Sequence, residues 1–402
     1  MQSKDRLDSQ SDTSPDTAKT HEMVPAQLAT TGADQEENAP ALRASTPQAV
    51  SELRPGISTY SVTTTSAVIQ PVPLVEQPSE SRPSKREWLS IWWEGIRPAY
   101  LALSLSPVIL GSIAAWTQSI SVKNPRGNFH PITFMLTLIA VLLLQSGAQL
   151  INDYYDYLKG VDTNNSLGPG GLIQQGLVEP ARVLVVGLGT VGLGAVMGLV
   201  IAILVGWPII VVGLIGVLAA YFYSGVPKGL ASLALGEILC FFIFGPLITI
   251  GSYMAQTGHL DRIVYIYSIS LGLLATAFIH VNNMRDVRSD GPSGKLTLAS
   301  LLGVRLSRTL YVILMLGTYA PIVALGLPAH SPHLLLIVLW TLPLLVIVIT
   351  TVLRTTSPGS LHTAMLQTLK LEMYFTLLLI GALIVDAYLP IVAHSHWLAL
   401  PF

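Results

Sequence analysis

At 402 residues, with 51% hydrophobic and 11% charged side chains and a mean hydropathy of +0.58, the chain is too apolar for an ordinary soluble globule. A formal net charge of −1 gives no electrostatic footprint for nucleic acid. The lone Cys240 excludes an internal disulfide, and the nine His show no metal-ligand spacing with it or with each other.

Charge is unevenly spread. Residues 1–86 hold 11 acidic and 8 basic side chains, leaving 12 acidic and 14 basic for the other 316 residues. The first stretch is rich in Ser, Thr, Pro, Gln and Glu and lacks a sustained apolar period, so it cannot bury enough surface to offset the entropy of folding. It reads as a disordered cytoplasmic tail that identifies no protein partner. Its start, MQSKDRLDSQSD, has no apolar region of the kind a secretory signal needs.

Residues 87–402 read as an all-α integral membrane domain, a bundle of about nine transmembrane helices. Apolar stretches long enough to span a hydrocarbon core alternate with short polar loops. The predicted spans are 99–118, 131–151, 183–205, 208–224, 234–255, 263–283, 309–327, 334–353 and 371–391. With the N-terminus inside, the inner flanks carry 14 Lys or Arg and the outer loops 3, namely Lys123, Arg126 and Arg262. This positive-inside bias predicts a multi-pass cell-membrane protein with loops 152–182, 225–233 and 284–308 on the cytoplasmic side.

Those loops hold the chemistry. The second span runs into NDYYDYLKGVD, where a continued helix puts Asn152 and Asp156 on one face with Asp153 beside them, and Asp162 follows. The sixth runs into NNMRDVRSD, where Asn282, Asp286 and Asp290 repeat the spacing of four. Ionisable groups at the ends of apolar spans are functional candidates by default, although a single one can equally be a polar cap. Oxygen-only donors suit Mg²⁺, which binds through one or two carboxylates plus the phosphates of a substrate. Two such facing clusters are therefore expected to hold a diphosphate between metal ions. Among the nearby cations Lys159, Lys228, Arg285, Arg288 and Lys295, some serve only as topology signals and others would clamp the diphosphate, with Lys228 and Lys295 preferred.

Four blocks then resemble the UbiA superfamily of intramembrane prenyltransferases, and within it the 1,4-dihydroxy-2-naphthoate branch. They are WWEGIRPAYLALSLSPVILGS, LINDYYDYLKGVDT, YFYSGVPKGLASLALGE with FGPLITIGSYMAQTG, and HVNNMRDVRSD followed by GKLTLASLLG. The resemblance implies nine helices around a central cavity and Mg²⁺-dependent transfer of a polyprenyl group from its diphosphate to an aromatic acceptor in menaquinone biosynthesis. It maps metal-binding aspartates to Asp153, Asp156, Asp286 and Asp290, with Asn152 and Asn282, and diphosphate-binding cations to Lys228 and Arg285. Glu237 matches a family position without an assigned role. Where many relatives carry an Arg, GPGGLIQQG has none, only Gly170, Gly171 and Leu172.

Other acceptors, 4-hydroxybenzoate or homogentisate, remain open, as does intramolecular cyclisation. A cation-coupled transporter is a reading from another class, and Asp386 in the last span is the carboxylate that fits it best. Of the aromatic residues Tyr154, Tyr155, Tyr157, Tyr221 and Tyr223, interfacial belt is the expected role. His280 is expected to pack, on a different helix face from the aspartates.

Overall fold

The computed structural model describes residues 84–121, 123–124, 126–160, 172–225, 229–291, 294–328 and 333–394. Residues 1–83 of the expected tail, Asp162, Gly170, Gly171 and Lys228 lie outside them, and the last two residues of that tail, Lys85 and Arg86, are helical. Among the described residues the chain is helical apart from one parallel bridge, Leu233 to Leu296.

The helices are α1 (Lys85–Gly95), α2 (Pro98–Ser119), α3 (Pro131–Lys159), α4 (Pro180–Val205), α5 (Pro208–Phe222), α6 (Gly236–Phe242), α7 (Ile248–Thr257), α8 (Arg262–Asp290), α9 (Leu298–Gly317), α10 (Tyr319–Gly326), α11 (Leu342–Arg354) and α12 (Pro358–His394). A π-helical segment, Ile243–Leu247, joins α6 to α7, and a 3-10 segment, His333–Thr341, leads into α11. Eight continuous stretches are long and apolar enough to cross a membrane, and α5 is a shorter ninth apolar helix. The expected count of about nine agrees with this.

Local chemistry sets many helix starts. Pro98, Pro131, Pro180 and Pro208 each stand at a first helical position, where the missing N–H costs nothing and the fixed φ suits the helix. Ser84 and Glu87 cap α1 reciprocally, and the Ser84 backbone N–H, with its hydroxyl, holds the Glu87 carboxyl below its usual range. Thr297 and Ser300 cap α9 in the same reciprocal way. Gly160, at φ +67°, ends α3 in the left-handed conformation that a side chain disfavours.

Several helices run further than the hydropathy suggested. The second span continues from 151 to Lys159, the sixth from 283 to Asp290, and the ninth begins at Pro358, whereas the helical stretch from Leu298 is broken at Gly303, φ +67°, before the seventh span. Residues 152–159 and 284–290 are thus helix, not loop. Hydropathy falls at the first carboxylate, but the backbone stays helical because the polar side chains find partners inside the bundle.

Helix α8 is the central element. Its Leu271, Leu274 and Phe278 pack with Tyr311 of α9 and Phe375 of α12 in the main core, and α2, α10 and α11 also contribute. A smaller cluster of Ala140, Ile201, Ile209 and Met254 joins α3, α4, α5 and α7 far from the carboxylates. Beside Asp153, Leu172, Ile173 and Val178 fold back against Leu150 and Val183, with Trp88 and Trp92 of α1 packed on them.

The π-helical segment meets α8 through backbone contact. A Cβ on Gly245 would lie 2.6 Å from the Ser268 carbonyl oxygen, and one on Gly272 would lie 2.8 Å from that of Phe241. Gly245→Val is expected to destabilise by about 1–3 kcal/mol, because backbone cannot yield as a flexible side chain can. Gly213→Ala, where the added atom meets nothing within 4 Å, is the control. Thermal unfolding in detergent should separate the two variants; equal midpoints would refute the close approach.

Candidate functional site

A cavity of about 440 Å³ lies between the α2–α5 side of the bundle and α6–α8. Its polar end is built from Arg97, Asn152, Asp156, Ser224, Asn282, Asn283, Asp286, Asp290 and Lys295. Its apolar part continues along α3 past Leu144 to Thr137, and Ala255 of α7 lies at that far end. From Asp156 to Thr137 is 19 residues of helix, or about 28 Å at 1.5 Å per residue.

The two aspartate-bearing helix ends therefore face one space. On α3, the Asn152 side-chain amide donates to Asp156 at 2.7 Å, the i, i+4 contact expected from the spacing. Ser224, just past α5, donates its hydroxyl to the Asn152 carbonyl oxygen at 2.5 Å. On α8, the Asn282 amide is 3.4 Å from Asp286, and its carbonyl oxygen accepts from the Tyr100 hydroxyl at 2.7 Å. Lys295 reaches Asp290 at 3.4 Å.

Not every expected residue faces the cavity. Asp153 is buried beside it but not in its lining, 3.6 Å from Arg97. Arg285 also turns away. Its guanidinium holds both oxygens of Asp286 at 2.7 Å, donates to Asn282 at 2.9 Å, and lies 2.9 Å from His362 of α12. Its side chain is 1% exposed and outside the lining, so here it braces Asp286 and Asn282, and direct contact with a diphosphate stays an expectation. The reason is helical geometry: one residue from Asp286 is about 100° around α8. Lys159 lies over the Tyr155 ring, 5.9 Å from its centre, and is likewise outside the lining.

Sequence reasoning passed over three contributors. Arg97 was counted only as a topology charge, yet it lines the cavity and also donates to Gln149 at 3.1 Å. It occupies the left-handed region at φ +54° immediately before Pro98, a conformation disfavoured for a residue preceding proline. Such strain is of order 1–3 kcal/mol and persists where surrounding contacts enforce it. The second is Tyr100, which orients Asn282. The third is Asn283, hidden beside the more conspicuous Asn282. Arg97 and Lys295 supply positive charge at the polar end.

Of the five tyrosines, Tyr223 lines the cavity, with the Cys240 thiol 3.8 Å from its hydroxyl, whereas Tyr157 is exposed. His280 is fully buried on a separate face, as expected, but it is hydrogen-bonded and not merely packed: Nδ1 lies 3.2 Å from Glu237 and Nε2 lies 3.2 Å from the Ser307 carbonyl. Asp386 is not part of the lining.

Among the described residues no three His, Cys, Asp or Glu side chains converge closely enough to enclose a metal ion by themselves. The donor set instead places Asp156 on one wall and Asp286 and Asp290 on the other, all carboxylate and all open to the cavity. That arrangement fits a hard ion which takes its remaining ligands from phosphate and water.

The sequence pattern of the UbiA prenyltransferase family matches residues 104–378. A 1,4-dihydroxy-2-naphthoate octaprenyltransferase of Bacillus subtilis is 29% identical over 306 residues, covering 76% of this chain and 96% of its own length. An Escherichia coli protein of the same description is 33% identical over 235 residues, 56% of this chain and 73% of its own. Among solved structures, a UbiA homolog from Aeropyrum pernix K1 superposes with a TM-score of 0.54 at 18% identity, over 71% of this chain and 97% of that one. A UbiA homolog from Archaeoglobus fulgidus, bound to GPP and Mg²⁺, does so with a TM-score of 0.51 at 14% identity, over 72% and 99%.

Proposed function

Because the chain belongs to the UbiA prenyltransferase family, we propose that it transfers a polyprenyl group from its diphosphate to 1,4-dihydroxy-2-naphthoate, a step of menaquinone biosynthesis, with Mg²⁺ as cofactor. The observation that carries this reading is the shape of one cavity: carboxylates from α3 and α8 at one end, and an apolar passage about 28 Å long behind them. A diphosphate and its metal suit the first part, and a long isoprenoid suits the second. The relatives described as 1,4-dihydroxy-2-naphthoate octaprenyltransferases support the choice of acceptor.

Asp156, Asp286 and Asp290 would hold Mg²⁺, which when bound draws charge away from the diphosphate oxygens. Asp153 keeps Arg97 in place. Arg97 and Lys295 present fixed positive charge where the diphosphate accumulates negative charge as the allylic C–O bond ionises. Lys228, outside the described residues, remains proposed as a further cation there. Asn152 and Asn282 orient Asp156 and Asp286 from four residues away. The apolar wall keeps water from the carbocation-like prenyl group until the electron-rich ring attacks. Attack at the carboxylated carbon followed by loss of CO₂ would give diphosphate and the prenylated 1,4-dihydroxynaphthalene, demethylmenaquinol, with no change of oxidation state. The inner-side excess of Lys and Arg supports placing the polar end of the cavity on the cytoplasmic side of the cell membrane.

The test supplies purified protein in bilayer discs with Mg²⁺, a polyprenyl diphosphate, and 1,4-dihydroxy-2-naphthoate, 4-hydroxybenzoate or homogentisate in turn. Product is expected with the naphthoate; turnover confined to either of the others would sink the acceptor assignment.

A further inference from the structure

Glu237 opens α6, and its carboxyl is 1% exposed inside the bundle. Two side chains from one face of α8 meet its Oε1: His280 Nδ1 at 3.2 Å and the Asn283 side-chain amide nitrogen, which donates at 2.9 Å. A buried ionisable group in an apolar span, engaged with others away from the aspartates, calls for a use.

The proton arrangement is constrained. His280 Nε2 faces the Ser307 carbonyl oxygen, which can only accept, so Nε2 carries a hydrogen. The Nδ1–Oε1 contact then holds one proton, belonging either to an imidazolium facing a carboxylate or to a carboxylic acid facing a neutral ring. In both states Oε1 retains a lone pair for Asn283. The amide nitrogen of Asn283 is therefore pinned to Glu237 whichever partner owns the proton, and the amide cannot flip without pointing its oxygen at another oxygen.

Asn283 also lines the main cavity, one residue from Asn282, and Ile279, Phe244 and Cys240 contribute apolar surface to the same cavity. With one N–H committed to Glu237 and the amide unable to flip, a second N–H and the carbonyl oxygen Oδ1 remain, and Oδ1 is the acceptor it can offer to that cavity. A bare acceptor repels the anionic oxygens of a diphosphate and attracts a hydroxyl. We propose that Asn283 Oδ1 accepts a hydrogen bond from a ring hydroxyl of the aromatic acceptor, and that Glu237 and His280 are positioning residues that fix its orientation. This rests on the prenyl-transfer reading, and it places the acceptor between α6 and α8, apart from the Lys295 side of the cavity.

The experiment measures binding and turnover separately. Wild-type protein and Asn283→Leu, which is similar in size but cannot hydrogen-bond, are titrated calorimetrically with 1,4-dihydroxy-2-naphthoate in bilayer discs, without prenyl diphosphate. The variant is expected to bind about tenfold more weakly. In turnover its KM for the naphthoate should rise by a similar factor, while its KM for polyprenyl diphosphate stays within about twofold of wild type. Glu237→Ala should reproduce the defect, and so should Glu237→Gln, whose amide turns its NH₂ toward the bare Nδ1 of His280 and no longer holds the Asn283 nitrogen. Because Asn283→Leu leaves Glu237 and His280 in place, it answers the question even where Glu237→Ala fails to fold. Equal naphthoate affinity in wild type and Asn283→Leu overturns the assignment, and so does an equal rise in both KM values. Wild-type protein that binds the naphthoate through Asn283 but transfers no prenyl group to it would instead overturn the proposed reaction and leave the binding role standing.

Discussion

Asp286→Asn is expected to lower prenyl transfer by about 10²–10³-fold, an effect of the size seen when one preorganised electrostatic group is removed from a reacting centre, and to lower the unfolding temperature as well, because the Arg285 guanidinium loses its buried charge partner. Asp286 is the point where support and chemistry meet: Arg285 grips both of its oxygens from behind, Asn282 approaches from one turn away, and the residue opens onto the cavity. The amide keeps the shape but halves the acceptor capacity and removes the charge needed to hold a divalent ion. Asp156→Asn, on the facing wall, should lower transfer alike. Transfer assayed in membranes, with thermal unfolding as the control for folding, checks both. Removing divalent ions with a chelator should stop the wild-type reaction, and added Mg²⁺ should restore it. Variants that retain more than a tenth of the wild-type rate would remove the two carboxylates from the mechanism.

The second large effect is expected at Arg285, for a different reason. Arg285→Met leaves the Asp286 charge buried without its partner and cuts the link to His362 on α12. Breaking a buried pair from one side costs about 3–5 kcal/mol, so this variant should unfold at a clearly lower temperature as well as lose activity. Arg285→Lys should rescue little, because an ammonium cannot hold both Asp286 oxygens and reach Asn282 and His362 at once. Lys295→Met provides the contrast. Its ammonium is less buried and contacts Asp290 at 3.4 Å, so activity should fall with little change in unfolding temperature. If Arg285→Met unfolds at the wild-type temperature yet shows a raised KM for prenyl diphosphate, Arg285 is a clamp after all.

The contrast between these two cations marks what the sequence could convey. The Asn152–Asp156 and Asn282–Asp286–Asp290 stripes were legible because spacing by four fixes a shared helix face, and abrupt hydropathy changes located both stripes near one membrane boundary. That they line one cavity follows from the packing of α2, α3 and α8. Arg285 could not be assigned from sequence because its direction depends on α12, nearly 80 residues later, lying against that side of α8. Arg97 was hidden for another reason: a single Arg at the start of an apolar span looks the same whether it marks topology or lines a site. Asn283 and Glu237 became interpretable only as a pair, since neither alone shows which end of the Asn amide is committed.

Helix α5 carries one further consequence. It has 15 residues, and Ile209 is the only one buried. Leu214 lines the cavity and is 56% exposed. With so little of α5 covered by other helices, that helix alone stands between the passage and the surrounding lipid on this side. Under the proposed reaction, a long isoprenoid would pass sideways between bilayer and passage without being lifted into water. The concentration that governs such a catalyst is two-dimensional. Diluting the prenyl substrate with inert phospholipid at a fixed bulk amount should slow the reaction as its mole fraction in the surface falls, whereas diluting the whole suspension with buffer should leave the rate per enzyme molecule nearly unchanged.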